Sequence, residues 1–539
     1  METDSKRLES GKVIPIATDA ALLHPEDQRL DRNFNLLSLC SVGLVTGNVW
    51  AALGFAFCFI RVRDNSDKSV ALEALSLWLC TTEDRRGITV ALFYFIIAAC
   101  IAELASSLPS SGGCYHWSSV AAGPKYGRIC GFFTGYWNFS AWILGPMSIS
   151  AIIGNICVQM YALYHPDYVQ ERWHVYVCYL IITWTCISVV LFANRLLPAI
   201  NNMGLFFILS GLLITILVCA IMPSRNGGEY ASNDFVWKDW VQDLGYPDGF
   251  VFCMGLLNGA FAIGTPDCCS HIAEEIPRPD INVPKAIVAQ LSIGFVTAFA
   301  YMIAMFYAIN NLDSVLSGSA TFPLAEIYHQ ATGSSAGTIG LLLVILLPLI
   351  CTNIGLYLTA SRMLWALARD DATPFSHVIG RVNSRWRNPF NAILVCGVLV
   401  TCLGAIYVGS TTAFNAFVGS FVVFSTLSYV GAILPHLLTR RKYMNPGPFW
   451  MKGTPGLVMH ALACGYMIVF IVIFCFPYAL PTTAASMNYT VLVTGAETIV
   501  VSLFWLRKRS RGYQGPKALM DGQWGADAAE LSSVPEKIN

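Results

Sequence analysis

The sequence predicts an all-α integral membrane protein with about twelve transmembrane helices, and two observations support this. Of the 539 residues, 55% are hydrophobic and 12% are charged, whereas soluble globular proteins carry roughly 25% charged residues. Long apolar stretches without charge also recur from about residue 34 to residue 506. Because a soluble fold could not bury so much apolar surface, we place these stretches in lipid.

Twelve windows are long enough to cross the membrane, since a spanning helix needs about 20 mostly apolar residues. They are residues 34–60, 88–108, 131–160, 174–193, 204–222, 249–273, 286–310, 336–361, 390–409, 412–438, 457–477 and 486–506. The chain is thereby divided into an N-terminal tail (1–33), one transmembrane domain (34–506) and a C-terminal tail (507–539).

The distribution of basic residues predicts the orientation. The first 33 residues are polar and contain no signal-peptide pattern. With both tails in the cytoplasm, most of the 33 Lys and Arg residues fall on the cytoplasmic side, as expected for a membrane protein. The exception is the charged segment 61–87, which lies on the predicted outer side and contains Arg61, Arg63, Lys68, Arg85 and Arg86.

The helices also repeat in order. The windows that begin near residues 131, 174 and 204 are followed by others near 336, 390 and 412. The first and sixth windows are separated by a similar interval. Five helices followed by five equivalents cross the membrane with opposite polarity, so the spacing predicts a five-plus-five inverted repeat. The last two helices lie outside that repeat.

Helix-breaking residues interrupt the first and sixth helices at corresponding places. The first helix contains Gly43 and Gly47, and the sixth contains Gly259, Gly264 and Pro266. In lipid, unwound backbone is tolerated only where it faces protein or a water-lined cavity. Two breaks at matched positions predict a mid-membrane site for a small zwitterion or cation, with exposed carbonyls and helix termini as ligands. Packing of small residues against neighbouring helices is the alternative.

Three acidic residues lie deep in the predicted helices, namely Glu103, Asp267 and Glu497. An ionised side chain at the bilayer centre costs on the order of 3 kcal/mol, so each is a candidate functional group. Asp267 lies in the sixth-helix break and can neutralise an amine, carry a coupling proton, or cap the second half of that helix. Glu103 is a second candidate for proton coupling. Glu497 lies outside the repeat and is interpreted as a packing contact.

Aromatic residues flank both breaks, with Trp50 after the first and Phe261 before the second. A cation over such a ring gains roughly 0.5–2 kcal/mol, which favours an organic cation. The residues we assign to substrate binding are Thr46, Gly47, Asn48, Trp50, Phe261, Gly264, Thr265 and Asp267.

Other chemistry is not indicated. The formal net charge is zero, which gives no electrostatic footprint for nucleic acid. The sequence has no phosphate-binding glycine loop, no Cys-x-x-Cys pair and no histidines at metal-ligand spacing. We therefore expect neither an enzyme nor an ATP-driven pump, and neither a cofactor nor a metal.

Four stretches resemble the amino acid, polyamine and organocation permeases, and within them the fungal amino acid/choline transporters. They are Ser110–Trp117, Gly259–Pro277, Val283–Ala286 and Ser361–Asp370. The resemblance covers most of residues 30–510, and its most specific part is Glu274-Glu275-Ile276-Pro277 with the Val-Pro-Lys that follows. The Gly264-Thr265-Pro266-Asp267 break looks like members assigned to choline more than those assigned to γ-aminobutyrate.

The resemblance implies a secondary transporter that moves choline or an amino acid by alternating access, driven by a proton gradient at the plasma membrane. Segment 61–87 departs from the family, whose members have a short glycine-rich loop there. The leading hypothesis is a proton-coupled importer. The alternative is a non-transporting membrane sensor, or an inactive permease, with the same fold.

Overall fold

The computed structural model describes residues 33–47, 50–51, 83–165, 167–227, 229–237, 244–317, 323–484 and 486–516. Within these ranges the chain is helical and forms no strand, and eleven helices are long and apolar enough to cross a membrane. Residues 1–32 of the predicted N-terminal tail, 61–82 of the charged segment and 517–539 of the C-terminal tail lie outside the described residues.

The helices that build the membrane domain are numbered in chain order. They are α1 (Leu36–Thr46), α2 (Glu83–Ser107), α3 (Gly123–Ala162), α4 (Arg172–Phe192), α5 (Leu197–Arg225), α6 (Asp248–Ile263), α7 (Pro279–Tyr307), α8 (Ser335–Arg369), α9 (Phe390–Gly409), α10 (Thr411–Leu438), α11 (Gly453–Ile473) and α12 (Thr490–Ser510). Shorter helical segments are Cys114–Ala121, Asn194–Leu196, Asn233–Trp237, Cys268–Glu275, Leu312–Ser317, Pro323–Thr332 and Ser376–Ile379.

Eleven of the predicted windows agree with these helices, with differences at the ends. In the window 34–60, the structure describes the 11-residue helix α1, whereas residues 48–49 and 52–60 lie outside the described residues. Window 390–409 coincides with α9, whereas α8 continues eight residues past its predicted end to Arg369. Its last turns are buried in protein, so they need not end where the apolar run ends. Helix α2 begins at Glu83, which makes the last residues of segment 61–87 helical.

The local sequence explains where α1 and α6 begin and end. Asn35 caps α1: its side chain accepts a hydrogen bond from the Ser38 amide, and the Ser38 hydroxyl accepts one from the Asn35 amide, both at 2.8 Å. Helix α1 ends at Thr46, before Gly47, and α6 ends at Ile263, before Gly264. The chain after the α6 break forms the 3₁₀ segment Cys268–Glu275, which we call the η segment.

The helices pack in two groups. In the first group, α7 contacts both α1 and α2, and α2 contacts α6. In the second, α3, α4, α8 and α9 contact one another. Helix α5 lies against α1, α7 and α8, and α10 lies against α3, α2 and α6. The two broken helices thus belong to one group, and their neighbours α3 and α8, which are equivalent in the inverted repeat, belong to the other.

Burial separates the centre of the domain from its periphery. In α3, 89% of the most apolar window is buried inside the protein, against 11% in α12.

Both described chain ends lie at the same end of the bundle: the Phe34 amide donates to the Glu275 carbonyl, and the Tyr513 hydroxyl bonds to that of Tyr115. We call this the terminal end.

Candidate substrate site

A small cavity lies between the two helix groups at the level of both breaks. It is lined by Thr46, Gly47, Gly145, Ile149, Phe261, Ala262, Thr265, Leu349, Thr352, Leu356 and Phe421. These residues come from α1, α3, α6 with its break, α8 and α10. None of the lining side chains is charged, so electrostatic recognition here depends on backbone dipoles, hydroxyl groups and aromatic rings.

The cavity is narrow in this conformation. Its volume is about 40 Å³, which is room for roughly three water molecules. Phe261 and Phe421 meet edge to face across it, with ring centroids 5.4 Å apart. A larger ligand therefore requires the two helix groups to separate or these rings to turn.

The Thr46 hydroxyl is the most distinctive polar group of the cavity. Thr46 is 5% exposed, and its Oγ1 has no hydrogen-bond partner within the described residues. Thr352, on the opposite wall, donates its hydroxyl hydrogen bond to the Val45 carbonyl at 2.8 Å. A buried hydroxyl without a partner costs free energy unless a ligand or water bonds to it, so Thr46 is suited to contact a polar ligand atom.

Both breaks are held by close packing around glycine. A Cβ at Gly47 would lie 2.6 Å from Nε2 of Gln290, and a Cβ at Gly264 would lie 2.2 Å from the Ala260 carbonyl oxygen. Gln290, on α7, also donates to the Thr265 carbonyl at 2.9 Å. One side chain of α7 therefore bridges the two breaks, which the sequence did not indicate.

Of the predicted site residues that the structure describes, Trp50, Gly264 and Asp267 do not line the cavity. Trp50 is buried and packs against Tyr301 of α7, with ring centroids 5.1 Å apart, and its indole nitrogen has no hydrogen-bond partner within the described residues. Asn48 lies outside the described residues.

Asp267 lies two residues beyond Thr265, toward the terminal end, and is fully buried. Its Oδ2 accepts hydrogen bonds from Asn138 (2.9 Å) and Trp142 (3.2 Å) on α3. Its Oδ1 lies 2.7 Å from the hydroxyl of Tyr429 on α10, and its Oδ2 lies 3.1 Å from Nε2 of His271. The carboxylate thus joins the η segment to both α3 and α10, and it does not line the cavity.

Two buried ion pairs close the terminal end. Arg362 binds Glu275 through Nε at 2.7 Å, and its NH2 donates to Asn194 at 3.1 Å. Arg369 holds Glu274 with two nitrogens, at 2.8 and 3.2 Å. Both arginines lie on α8 and both glutamates on the η segment, so the pairs bridge the two helix groups. The Glu-Glu-Ile-Pro motif and the Ser361–Asp370 motif thus meet in space.

Glu103 lies in a separate cluster, away from the cavity. Its Oε1 is 3.4 Å from Nε2 of His436, 3.5 Å from Arg441 and 3.8 Å from Nε2 of His460, and its Oε2 accepts from the Met451 amide at 3.0 Å. These three groups, Glu103, His436 and His460, have their ligand atoms within 4.8 Å of one another. Sequence spacing did not reveal this arrangement, because the histidines come from different helices.

This cluster has the donor types of a metal site, but the guanidinium of Arg441 already balances the Glu103 carboxylate. We therefore describe it as a buried ion pair with two histidines. The third deep acid, Glu497, accepts a hydrogen bond from Ser140, so it joins α12 to α3 as the packing interpretation expects.

Sequence reasoning missed several residues that the fold brings to these sites, chiefly Asn138, His271, Gln290, Phe421 and Tyr429. Asn138 and Gln290 are polar residues within otherwise apolar helices, and that signal was available in the sequence. Phe421 and Tyr429 carried no comparable signal, since aromatic residues are frequent throughout membrane helices.

Comparison with known proteins identifies the family. The family model described as amino acid permease matches residues 87–496. The chain is 31% identical over 489 residues to the choline transporter of Saccharomyces cerevisiae, covering 90% of this chain and 83% of that protein. It is 28% identical over 451 residues to the amino-acid permease BAT1 of Arabidopsis thaliana, covering 79% and 84%.

Solved structures share the fold. A crystal structure of a mutant manganese transporter from Eremococcus coleocola superposes with a TM-score of 0.55 at 14% sequence identity, covering 89% of this chain and 96% of that one. At this identity the likeness concerns the fold alone. Since the family model spans most of the membrane domain and one relative is 31% identical over 83% of its length, the chain belongs to the amino acid permease family.

Proposed function

We propose that the chain is a proton-coupled secondary transporter that carries choline, or a closely related small amine or amino acid, across the plasma membrane by alternating access. The observation that carries this proposal is the uncharged cavity at the two matched helix breaks. Family membership makes small amino acids or amines the expected substrates.

The lining of the cavity favours a quaternary ammonium. Such a cation has no N–H to donate, so it gains most from aromatic faces, here Phe261 and Phe421, and from carbonyl dipoles at the helix breaks. The hydroxyl of choline would find a partner in Thr46 Oγ1. Among the relatives, the protein named as a choline transporter supports the same choice.

Asp267 has a different part in this proposal. All four of its partners are protein side chains, and Asp267 is not among the residues that line the cavity. Of the roles that the sequence left open, proton coupling and the fixing of the η segment therefore fit better than direct contact with an amine. Glu103 remains a second proposed coupling group.

Alternating access is supported by the division into two helix groups with the cavity between them. In this conformation the terminal end is closed by the pairs Arg362–Glu275 and Arg369–Glu274. Release toward that end requires both pairs to part. With the tails in the cytoplasm, as the basic residues suggest, this is the cytoplasmic end.

The test is uptake of labelled choline, and of a panel of labelled amino acids, into cells that lack their own permeases. Each measurement is made with and without a protonophore. We expect choline uptake that unlabelled choline competes away and that the protonophore abolishes. Uptake of amino acids but not of choline would support a transporter with an amino acid as its substrate.

Absence of uptake for every compound, from protein shown by surface labelling to be at the plasma membrane, would contradict the proposal. The sensor interpretation would then predict choline binding by the purified protein without flux.

A further inference from the structure

His271 lies at the junction of the η segment and the loop after α2, and it is fully buried. Both nitrogens of its ring face oxygen atoms that accept hydrogen bonds. Nδ1 is 2.9 Å from the Ser111 carbonyl oxygen, and Nε2 is 3.1 Å from Oδ2 of Asp267. Turning the ring over would place carbon atoms at both positions and lose both bonds.

A neutral imidazole does not have enough hydrogens to donate to both of these oxygen atoms. A neutral imidazole has one N–H and one bare nitrogen. A carbonyl oxygen cannot donate, so the hydrogen on Nδ1 is committed to Ser111. Nε2 would then carry no hydrogen, and its lone pair would face a lone pair of the ionised Asp267 carboxylate. The contact is favourable only if one additional proton lies between Nε2 and Asp267.

The partners of Asp267 indicate where that proton resides. Oδ2 already accepts from Asn138 and Trp142, and the Tyr429 hydroxyl faces Oδ1. Hydrogen bonds donated to a carboxylate stabilise its ionised form. The proton is therefore assigned to the imidazole, which makes His271 and Asp267 a buried ion pair. Buried pairs are stable when their remaining hydrogen-bonding positions are satisfied, as they are here.

The other three buried histidines that lie near an acid, His116, His436 and His460, need no such proton. His116 faces Asp370 at 2.8 Å, but its second nitrogen meets the hydroxyl of Ser110, which can donate. At Glu103, the N–H of His436 can point to the carboxylate. His460 can place its hydrogen on the nitrogen that faces the Gly456 carbonyl at 2.7 Å. Neutral imidazoles satisfy the contacts of His116 and His436. At His460, Nε2 is 3.8 Å from Glu103, too far for a hydrogen bond, and Arg441 already supplies a positive charge 3.5 Å from that carboxylate.

The elements packed around the pair present neutral groups or charges that already have a partner. Tyr429 from α10, whose hydroxyl is 2.7 Å from Asp267, is a neutral group. On the η segment itself, Glu274 and Glu275 are matched by Arg369 and Arg362. No unmatched charge within the described residues therefore substitutes for the proton on His271.

We propose that His271, held by Asp267 and Ser111, binds the coupling proton of this transporter. This inference rests on the proposed function and deepens it. A proton taken up from the external side joins Nε2 of the neutral imidazole. Opening of the terminal end moves the η segment away from Ser111, breaks the Nδ1 bond and admits water, and the proton leaves to that water. His271 therefore retains the proton for as long as the terminal end is closed.

The transport test uses the full chain in proteoliposomes and separates two readouts. Counterflow of labelled choline, with equal pH on both sides, requires only substrate exchange. Accumulation above the equilibrium ratio under an inward pH gradient requires proton coupling. We expect His271→Gln, which cannot take up a proton, to retain counterflow and lose accumulation. Accumulation by this variant at the wild-type level would overturn the proposal.

His116→Gln is the matched control, since it also removes a buried histidine beside an aspartate at the terminal end. It is expected to accumulate choline in the same ratio to its counterflow as the wild type. Equal loss of accumulation in both histidine variants would contradict a specific role for His271. Absence of counterflow by the wild type, with choline and with amino acids, would instead refute the proposed function itself.

A spectroscopic measurement keeps the test independent of transport. Purified protein labelled with ¹⁵N-histidine is compared with its His271→Gln and Asp267→Asn variants at pH 8, where an ordinary histidine with a pKa of about 6.5 is neutral. We expect one doubly protonated imidazole signal that disappears in both variants and persists in His116→Gln. A wild-type spectrum containing only neutral imidazoles would overturn the assignment.

Discussion

The cavity and the terminal end of this permease are built from the same two helix groups but from opposite kinds of side chain. The cavity is lined by hydroxyl, aromatic and aliphatic groups and contains no charge. The terminal end contains two buried arginine–glutamate pairs and the Asp267–His271 pair, all matched. The broken helix α6 and the η segment after it connect the two regions within ten residues.

Under the proposed function, the cavity would recognise the substrate and the terminal end would control access to it. An uncharged site binds its ligand by shape, ring faces and dipoles, each a small contribution, so it can release the ligand readily. Separating a buried charge pair costs several kcal/mol unless each charge finds a new partner. Such pairs therefore suit a barrier in which all the pairs part together. Changes at the terminal end should therefore affect folding and coupling, and changes in the cavity should affect substrate affinity.

The largest effect is expected from Arg362→Ala. It leaves Glu275 buried without its cation, and loss of one partner of a buried pair costs roughly 3–5 kcal/mol. We expect a clear fall in the apparent melting temperature of the detergent-purified protein and a loss of choline uptake. Thermal stability is measured by fluorescence-detected size-exclusion chromatography.

Arg385→Ala, which removes an exposed arginine of the α8–α9 loop, is the control and should melt like the wild type. A double variant, Arg362→Met with Glu275→Gln, removes both charges and should recover part of the lost stability. If the double variant were as unstable as Arg362→Ala, the ion pair would not be the cause.

The second effect concerns the α6 break, which links the two regions. Gly264→Ala places a Cβ at 2.2 Å from the Ala260 carbonyl, whereas Gly249→Ala, in the first turn of the same helix, meets nothing within 4 Å. Displacement of binding groups by about an ångström can reduce turnover by roughly 10- to 100-fold. We expect that loss for Gly264→Ala and near-normal choline uptake for Gly249→Ala, compared at equal surface expression. Equal activity would show that the break tolerates a side chain.

The fold could be predicted from the sequence because a chain in lipid has few ways to satisfy its backbone hydrogen bonds. Apolar length located the helices, and matched breakers located α1 and α6, since both signals arise from backbone hydrogen bonding in a medium without water. The helix ends were less accurate, as at Arg369, where protein burial rather than lipid thickness decides the boundary.

The candidate site was only partly predictable. Thr46, Gly47, Phe261 and Thr265 line the cavity as expected from the breaks. The sequence marks Asp267 as a candidate functional residue, but its four partners depend on how α3, α10 and the η segment meet. No pattern along the chain reports such contacts between distant segments. The contribution of His271 depends on which atoms face its two nitrogens, and only the tertiary structure shows this.

The aromatic rings of the cavity provide the third prediction. Phe421→Leu removes a ring that faces the site but keeps an apolar side chain. A cation–π contact is worth roughly 0.5–2 kcal/mol, so the KM for choline should rise roughly 2- to 30-fold. Phe206→Leu, at a position that is 65% exposed on α5, should leave the KM unchanged. An unchanged KM in Phe421→Leu would remove this ring from the substrate site.

The smallest effect is expected at Thr46, and it sharpens the assignment of the substrate. Thr46→Val preserves the shape of the side chain and removes the hydroxyl that has no partner in this conformation. A net hydrogen bond is worth roughly 0.5–1.5 kcal/mol, so the KM for choline should rise roughly 2- to 12-fold. Thr215→Val, whose buried hydroxyl bonds to the Gly211 carbonyl at 2.8 Å away from the cavity, is the matched control.

Tetramethylammonium distinguishes the hydroxyl contact from a general disturbance of the cavity, because it has the charge of choline without the hydroxyl group. Its inhibition constant against choline uptake should be the same in the wild type and in Thr46→Val, while the KM for choline rises only in the variant. If the KM for choline and the inhibition constant of tetramethylammonium rose equally in Thr46→Val, Thr46 would shape the cavity without bonding to the substrate. The uncharged region would then recognise its ligand through the ammonium group alone.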